Sequence, residues 1–299
     1  MKRIEVLIDS RLSGKTVQHV ALKAAHLSGS AFRSMKFSGG IKRNGKAVRA
    51  NERVNEGDCI TFTFEEKCRN DEVKCKWEQA AAECDYQIVY EDADLYVIDK
   101  GAPLPTMASA RQSGHTLESA LYSRFGGEEG YCFRPVNRLD KGTSGLMVVA
   151  KNAYVQQLLQ KQLHTDTFIR EYIAVCDGVF EHEAGAIELP IAKEENSIRR
   201  KIDPCGKKAV THYRLLQQGK ERSCVQLRLE TGRTHQIRVH MAAIGCPVTG
   251  DYLYGMEHEK LKGRFALHSC FVSFLHPITG ETIAMKSPMP PACQELLNE

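Results

Sequence analysis

The 299-residue chain lacks several features that would place it in a specialised class of protein. It has no apolar stretch near the roughly 20 residues that are needed to span a bilayer. Its first residues have neither an apolar segment nor a small-residue cleavage site, so we predict no secretory signal and a cytoplasmic location. It also has no repeat of fixed period and no low-complexity tract. With 42% hydrophobic and 26% charged residues, it has the composition of an ordinary globular protein.

The eleven cysteines do not form a recognisable metal or disulfide pattern. Small disulfide-rich folds concentrate cysteines in short sequences, whereas these are scattered through a large chain. Cys68, Cys75 and Cys84 come nearest to a cluster, but their separations do not fit a zinc site. His235 and His240 lack the i, i+4 helical spacing of paired ligands and a third ligand nearby. We therefore predict reduced thiols and no bound metal.

The net charge of +4 says little by itself, but the charges are unevenly distributed. Residues 1–58 contain 12 Lys and Arg against 5 Asp and Glu, while residues 59–100 contain 5 against 11. A short basic segment can follow a phosphate backbone. It can equally be a solvated face without a partner. Charge alone leaves both interpretations open.

Composition divides the chain into three segments. Residues 1–65 predict a small α/β unit with two helices, the second capped by Ser30, and a hairpin at Asn44-Gly45, a pair that tolerates the positive φ angles of a type I′ turn. Residues 66–85 are charged and rich in alanine, which predicts a linker. Residues 86–299 mix strands with a few helices. Because regular helical crossovers are missing, we predict an α+β fold with a mixed, mainly antiparallel sheet and flanking helices.

The most informative segment runs from Arg134 to Ala150. It places Asp140 in front of a Gly-Thr-Ser-Gly turn, and the apolar run from Leu146 to Ala150 predicts a buried strand. A carboxylate at the entrance of a strand, on a backbone held by a tight turn, is rigid and within reach of a ligand. A second cluster, residues 231–240, contains the cations that such a carboxylate would need. Together the two segments predict chemistry on a nucleic-acid base.

The motifs Asn137-Arg-Leu-Asp140 and Thr143-Ser-Gly-Leu146 resemble those of the RluA-like pseudouridine synthases. The similarity continues in the family's order over about residues 86–291, and it includes Phe168 to Val175 and Thr231 to Met241. The first 65 residues are similar to a small RNA-binding domain shared with a ribosomal small-subunit protein. The resemblance implies an RNA-modifying isomerase that acts on structured RNA, with ribosomal RNA favoured over transfer RNA. It implies no cofactor, no metal and no membrane partner. The sequence leaves the oligomeric state open, and we favour a monomer.

Pseudouridine formation breaks the bond between ribose and a uracil nitrogen, turns the base and rejoins it through ring carbon five. The base must first leave the helical stack. The resemblance assigns the nucleophile or base to Asp140 and the cation paired with it to Arg238, since an opposite charge favours an ionised carboxylate. It assigns stacking on the uracil, with proton transfer as a second role, to Tyr172. The substrate-binding positions that it implies are Arg138, which helps to hold the nucleotide out of the helix, and Arg233, His235 and Gln236, which shape the pocket or contact phosphate. Asn137, which stands where many members of the family have His, is a further substrate-binding position.

Two other classes of function are weighed against this one. A glycosidase that cuts the base–sugar bond generally uses two carboxylates at a defined separation, and neither motif contains a second acidic residue. A non-catalytic RNA-binding or ribosome-assembly factor would have no need of a matched carboxylate and cation. Taken alone, the Arg-Leu-Asp tripeptide could be a surface ion pair and Tyr172 a core residue. The combination of motifs favours the isomerase.

Overall fold

The computed structural model describes residues 2–64, 84–108, 115–126 and 131–298. The first of these ranges contains a four-stranded sheet with the order β1-β4-β2-β3. Its strands are β1 (Lys2–Leu7), β2 (Ile41–Arg43), β3 (Lys46–Ala47) and β4 (Cys59–Phe64). Two helical segments pack on this sheet: α1 (Val17–His19), which continues as a π-helical turn (Val20–Ala24), and α2 (Gly29–Ser38).

The remaining described strands lie between residues 86 and 286. They are β5 (Tyr86–Glu91), β6 (Leu95–Lys100), β7 (Arg134–Pro135), β8 (Ser144–Ala150), β9 (Ile169–Asp177), β10 (Ala184–Ile187), β11 (Ile191–Lys193), β12 (Arg200–Ile202), β13 (Thr211–Gln218), β14 (Arg222–Leu229), β15 (Leu267–Leu275) and β16 (Thr282–Lys286). Ten of them form one large sheet with the order β10-β13-β14-β9-β15-β8-β6-β5, to which β7 and β16 are added beside β8 and β15. The pair β11-β12 is a separate hairpin.

The large sheet is mixed but mainly antiparallel, because only β15 and β8 pair in parallel among the described strands. Flanking helices are α3 (Leu117–Phe125), α4 (Ala153–Gln162), α5 (Gln236–Ala243) and α6 (Pro291–Gln294), with 3₁₀ turns at Glu259–Leu261 and Glu295–Asn298. The predicted α+β fold class is confirmed. Each described helix is too short or too polar to cross a bilayer.

Several local predictions can be compared with the structure. The strand expected from Leu146 to Ala150 is present and fully buried. Both residues of the Asn44-Gly45 turn have positive φ angles, 50° and 81°, as the type I′ prediction requires. The predicted cap at Ser30 is wrong, because Ser28 accepts the hydrogen bond from the Ala31 amide and begins α2.

The segment predicted as a linker, residues 66–85, lies almost wholly outside the described residues, as do Cys68 and Cys75. On either side of it the two sheets have separate apolar cores. They meet at α4, where the Gln157 and Lys161 side chains donate hydrogen bonds to the carbonyl of His26 and the Ser28 amide donates to Gln157. Tyr154 of the same helix packs against the N-terminal core. The helix α4 therefore links the two sheets.

Candidate active site

An open cleft of about 810 Å³ lies over one end of the large sheet. Its wall includes all eight residues that the sequence singled out: Asn137, Arg138, Asp140, Tyr172, Arg233, His235, Gln236 and Arg238. They come from three separate stretches of chain. The fold thus brings together residues as far apart in sequence as Asp140 and Arg238, which are separated by 98 positions.

Pairing around the central strand β15 explains part of this convergence. Ser269 of β15 lies opposite Tyr172 of β9 on one side and opposite Gly145 of β8 on the other. The loop that carries Asp140 leads directly into β8. Gly145 has a φ of 105°, and a Cβ at this position would collide with the Ser269 backbone, so only glycine fits. This alignment of Gly145, Ser269 and Tyr172 across three strands brings Tyr172 towards the loop of Asp140.

The loop of Asp140 is held on both sides. The Thr106 hydroxyl donates a 2.7 Å hydrogen bond to the Leu139 carbonyl, and the Leu104 amide donates a 2.9 Å bond to the Lys141 carbonyl. The carboxylate between these two anchors remains partly exposed, with 27% of its side chain accessible. Such a carboxylate is fixed in position and still open to a ligand.

Arg238, on the buried face of α5, lies between two carboxylates. Its Nη1 donates to Asp140 Oδ2 at 3.0 Å, while Nε and Nη2 donate to the two oxygens of Asp251 at 2.6 and 2.7 Å. Its guanidinium carbon lies 4.2 Å from the centre of the Phe265 ring and 5.1 Å from that of Tyr254. The guanidinium is therefore fixed in orientation, with one arm directed at Asp140.

Burial disfavours the charge of Arg238, but the hydrogen bonds and charges of Asp251 and Asp140 outweigh it, so its pKa is raised. The Asp251 side chain is fully buried, whereas that of Asp140 is not. Sequence reasoning missed the role of Asp251. The signal available was its place after the Gly250 turn, in a segment already matched to the family, but only the fold shows which side chain it contacts.

His235 lies beside the same carboxylate, with Nε2 4.0 Å from Asp140 Oδ2. The Tyr254 hydroxyl accepts a 2.7 Å hydrogen bond from the Arg200 amide and lies 2.8 Å from His235 Nδ1. The hydroxyl can thus donate its own proton to Nδ1, which leaves Nε2 as the N–H that faces Asp140. Burial, assisted by the charges of Arg238 and Arg200, lowers the pKa of His235, so the neutral ring is favoured.

Tyr172 is buried on the floor of the cleft, with 5% of its surface exposed. Burial raises the pKa of its phenol, which therefore stays protonated. Next to it the buried Arg170 also lines the cleft. A neutral aromatic ring beside a carboxylate can pack against a planar base and keep water away from it.

The other substrate-binding candidates differ in how free they are. Arg138 is exposed at the cleft wall. Arg233 donates from Nε to the Lys208 carbonyl at 2.9 Å. The Gln236 amide is used within the protein: its oxygen accepts from Thr231 and from the Arg233 backbone, and its nitrogen donates to Val210 and Thr211. Gln236 therefore shapes the cleft wall.

Asn137 is a buried residue of the cleft wall. Its Oδ1 accepts a hydrogen bond from the Val148 amide at 2.9 Å, which ties it to β8. Its Nδ2 is buried without a partner among the described residues. A buried amide donor without a partner is uncommon in folded proteins, which makes this nitrogen a candidate contact for a ligand.

Lys100 is a further buried cation behind the cleft, and sequence reasoning did not identify it. Its Nζ donates to the carbonyls of Gly101 and Leu104, the latter in the segment that anchors the Asp140 loop. Burial lowers the pKa of Lys100 to about 7, against the opposing charges of Asp140, Asp85 and Asp99. This lysine supports the loop from below.

No group of three His, Cys, Asp or Glu residues suited to a metal ion occurs in the part of the chain that the structure describes. Both ring nitrogens of His240 are used internally, by Thr211 and the Leu189 carbonyl. His235 is engaged by Tyr254. The two histidines therefore do not converge on one site.

Comparison with known proteins shows the family to which the chain belongs. Residues 94–243 match the family model for RNA pseudouridylate synthases. The matched range contains Asp140, Tyr172 and Arg238. The chain belongs to the RluA-like family of RNA pseudouridine synthases, and it is an isomerase that acts on RNA.

Relatives cover most of the chain. An uncharacterized RNA pseudouridine synthase of Bacillus subtilis, YlyB, is 36% identical over 87% of this chain and 85% of its own length. Ribosomal large subunit pseudouridine synthase D of Vibrio cholerae is 36% identical over 94% of this chain and 90% of its own length. Among solved structures, human RNA pseudouridylate synthase domain containing 1 superimposes with a TM-score of 0.56 at 26% identity, covering 70% of this chain and 87% of that protein.

Proposed function

We propose that the protein isomerises specific uridines in structured RNA, with ribosomal RNA as its substrate, by a reaction that depends on Asp140. The observation that carries the proposal is the partly exposed Asp140 carboxylate fixed against Arg238 in an open cleft. The similarity of the chain to ribosomal large subunit pseudouridine synthase D of Vibrio cholerae supports ribosomal RNA over transfer RNA as the substrate. Isomerisation exchanges no electrons with an outside partner, so the proposal requires no redox cofactor.

In the proposed reaction Asp140 acts on the ribose of an everted uridine, as nucleophile or as base. The bond from C1′ to N1 breaks, and a bond from C1′ to C5 forms after the base has turned. The proton on C5 is lost and N1 gains one, so the atoms balance. Arg238 holds Asp140 ionised and oriented, while Asp251 fixes Arg238 from its other side. His235 adds an N–H donor beside the carboxylate.

Tyr172 and Arg138 act on the nucleotide rather than on the carboxylate. A buried, neutral Tyr172 stacks on the uracil and keeps water from it while the base turns. Arg138, exposed next to Asp140, occupies the space in the RNA helix that the base has left. Arg233 approaches the backbone near the cleft, and Asn137 offers its free Nδ2 to the substrate.

The organisation of the chain supports the assignment of RNA binding and catalysis to different segments. We propose that residues 1–65 form a separate RNA-binding domain, that residues 66–85 link it to the rest, and that residues 86–299 form the catalytic domain. The exposed lysines and arginines of the first segment suit a phosphate backbone. Its contact with α4, whose Gln160 lines the cleft, would bring bound RNA close to Asp140.

A glycosidase remains a second chemical possibility because Asp251 is a second carboxylate close to Asp140. Its two oxygens are, however, both bound to Arg238 and its side chain is fully buried. It cannot reach a water or a sugar in this arrangement. The geometry therefore favours isomerisation over hydrolysis.

The test uses RNA labelled with tritium at uracil carbon five. Incubation of this protein with labelled ribosomal RNA should release tritium to water without free uracil, and mapping should place pseudouridine at defined sites. Free uracil would identify a glycosidase. Binding without either product would identify a non-catalytic RNA-binding factor, and release from transfer RNA alone would correct the substrate.

A further inference from the structure

Arg170 is a buried cation of the cleft for which the described part of the chain provides no counter-ion. Arg170, on β9, is buried with 7% of its surface exposed, and it lines the cleft two residues before Tyr172. Its Nε has no hydrogen-bond partner, and no carboxylate among the described residues forms an ion pair with its guanidinium. The buried Arg238, by contrast, is paired with two carboxylates. Arg170 differs from Arg238 in being desolvated without a neutralising carboxylate in the described ranges of the chain.

The strand places this charge in the cleft rather than on the other face of the sheet. Side chains alternate along a strand, so Arg170 and Tyr172 share one face. Glu171 between them points the other way, where its carboxylate accepts a hydrogen bond from Gln226. The nearest carboxylate in sequence is therefore turned away from the guanidinium.

The neighbours of Arg170 leave it reachable. The Phe168 ring centre lies 6.0 Å from the guanidinium carbon, a weak contact that does not neutralise it. At Gly232, an added Cβ would lie 3.3 Å from Nη1, so a side chain there would cover the group. Gly232 itself is exposed and lines the same cleft. A residue without a side chain thus keeps the buried cation open to a ligand.

A desolvated full charge is costly unless an opposite charge pairs with it. Uracil and ribose are neutral, whereas the phosphodiester beside an everted nucleotide carries a full negative charge. The planar guanidinium of an arginine can bind such a group through two parallel hydrogen bonds. Resting on the proposed function, we infer that Arg170 binds a phosphodiester of the everted uridine. The ligand would bring the missing counter-ion into the cleft with the substrate.

The test is a coupling measurement on binding. The probe is a hairpin RNA of large-subunit ribosomal sequence with a single uridine in its loop, made either unmodified or with an uncharged methylphosphonate at the 5′ or the 3′ linkage of that uridine. Dissociation constants are measured for wild type, Arg170→Met and Arg170→Lys at one salt concentration. Arg170→Met should weaken binding of the unmodified RNA about tenfold or more, and Arg170→Lys should weaken it less.

The coupling decides the outcome. In wild type, one of the two methylphosphonates should weaken binding by a similar factor, and in Arg170→Met the same substitution should change it by less than about twofold. Equal losses in both proteins would overturn the inference, because the guanidinium and the phosphate would then act independently. An Arg170→Met variant that binds normally but forms product slowly would also overturn it, since the guanidinium would then act on the base.

A second variant and a binding readout keep the possible outcomes of this test distinct. If Arg170→Met does not fold, Gly232→Val keeps the charge but covers it, and should weaken binding with the same loss of phosphate coupling. Binding is measured without reference to turnover. A wild-type protein that binds the hairpin with phosphate coupling but forms no pseudouridine would therefore contradict the proposed function and leave the role of Arg170 standing.

Discussion

The cations of the N-terminal sheet and those of the cleft differ in how they are held. Of the Lys and Arg residues between positions 3 and 58, all but Arg43 are exposed, and the ion pairs they form, such as Arg3 with Glu5, lie in solvent. Arg238 in the cleft and Lys100 behind it are buried, and each is fixed by more than one hydrogen bond. Exposed charges are screened by salt, and buried ones much less.

This difference suggests two kinds of contribution to one reaction. Mobile, hydrated charges can attract RNA and follow its backbone, but they cannot hold a reacting atom in place. Buried charges cost stability, and in return they hold a carboxylate in a single geometry. We therefore propose that the N-terminal cations contribute to RNA affinity and the buried cations of the catalytic segment to chemistry, and each of the following measurements tests one side of that proposal.

The largest effect should come from Asp140→Asn. The amide keeps the shape of the side chain but removes its charge, so the rate of tritium release should fall by about a hundred- to ten-thousandfold or more. RNA affinity should stay close to the wild-type value, because the exposed cations are unchanged. Asp203→Asn, outside the cleft, is the matched control and should keep full activity. An Asp140→Asn protein that turns over near the wild-type rate would remove Asp140 from the mechanism.

A second effect concerns stability. Arg238→Met leaves the carboxylates of Asp140 and Asp251 without their partner, so the free energy of unfolding should drop by about 3–5 kcal/mol in urea titrations. Adding Asp251→Asn should restore part of the loss, since one unpaired charge is then gone. The same substitution at exposed Arg33 should change stability by less than about 0.5 kcal/mol. Similar losses of stability at Arg238 and Arg33 would mean that the buried and the exposed cations do not differ in what they contribute to stability.

A third measurement uses pH. Because the folded-state pKa of Lys100 is depressed to about 7, its buried charge costs stability below that pH, and the cost is relieved as pH rises. Relative to Lys100→Met, the wild-type free energy of unfolding should therefore increase by about 2–3 kcal/mol between pH 6 and pH 9. The pair of wild type and Lys42→Met, at an exposed position, should show no such trend. A flat difference for Lys100 would mean that its ammonium is better solvated than its burial indicates.

The smallest effect should come from the exposed cations. Replacing Arg33, Lys36, Lys42 and Lys46 with Gln should weaken RNA binding and reduce the slope of log affinity against log salt by about 0.7–0.9 for each phosphate that is no longer neutralised. The rate of the bound complex should not change, because none of the four lines the cleft. Unchanged affinity and slope would show that this surface does not bind RNA.

The sequence motifs identified which residues line the cleft, but not which partners those residues contact. The run from Arg134 to Ala150 and the cluster at residues 231–240, together with the strand of Tyr172, predicted eight residues, and all eight line one cleft. The same reasoning missed Asp251, Tyr254 and Lys100, whose importance comes from what they touch. A lone Asp, Tyr or Lys in a loop or strand carries no pattern that periodicity or spacing can detect. The Ser30 cap failed for a similar reason, because two nearby serines compete and only the backbone path decides between them.

The sequence by itself determined the class of fold, the buried strand after Asp140 and the family, because hydrophobic periodicity, turn chemistry and motif order are all local properties. Only the tertiary structure decided that Arg238 has two carboxylates, that His235 is oriented by Tyr254 and that Arg170 has none to pair with among the residues described. These are facts about distance and solvent exclusion between segments far apart in the chain. Electrostatic energy depends on distance and on solvent exclusion, and neither can be read from the order of residues in the sequence.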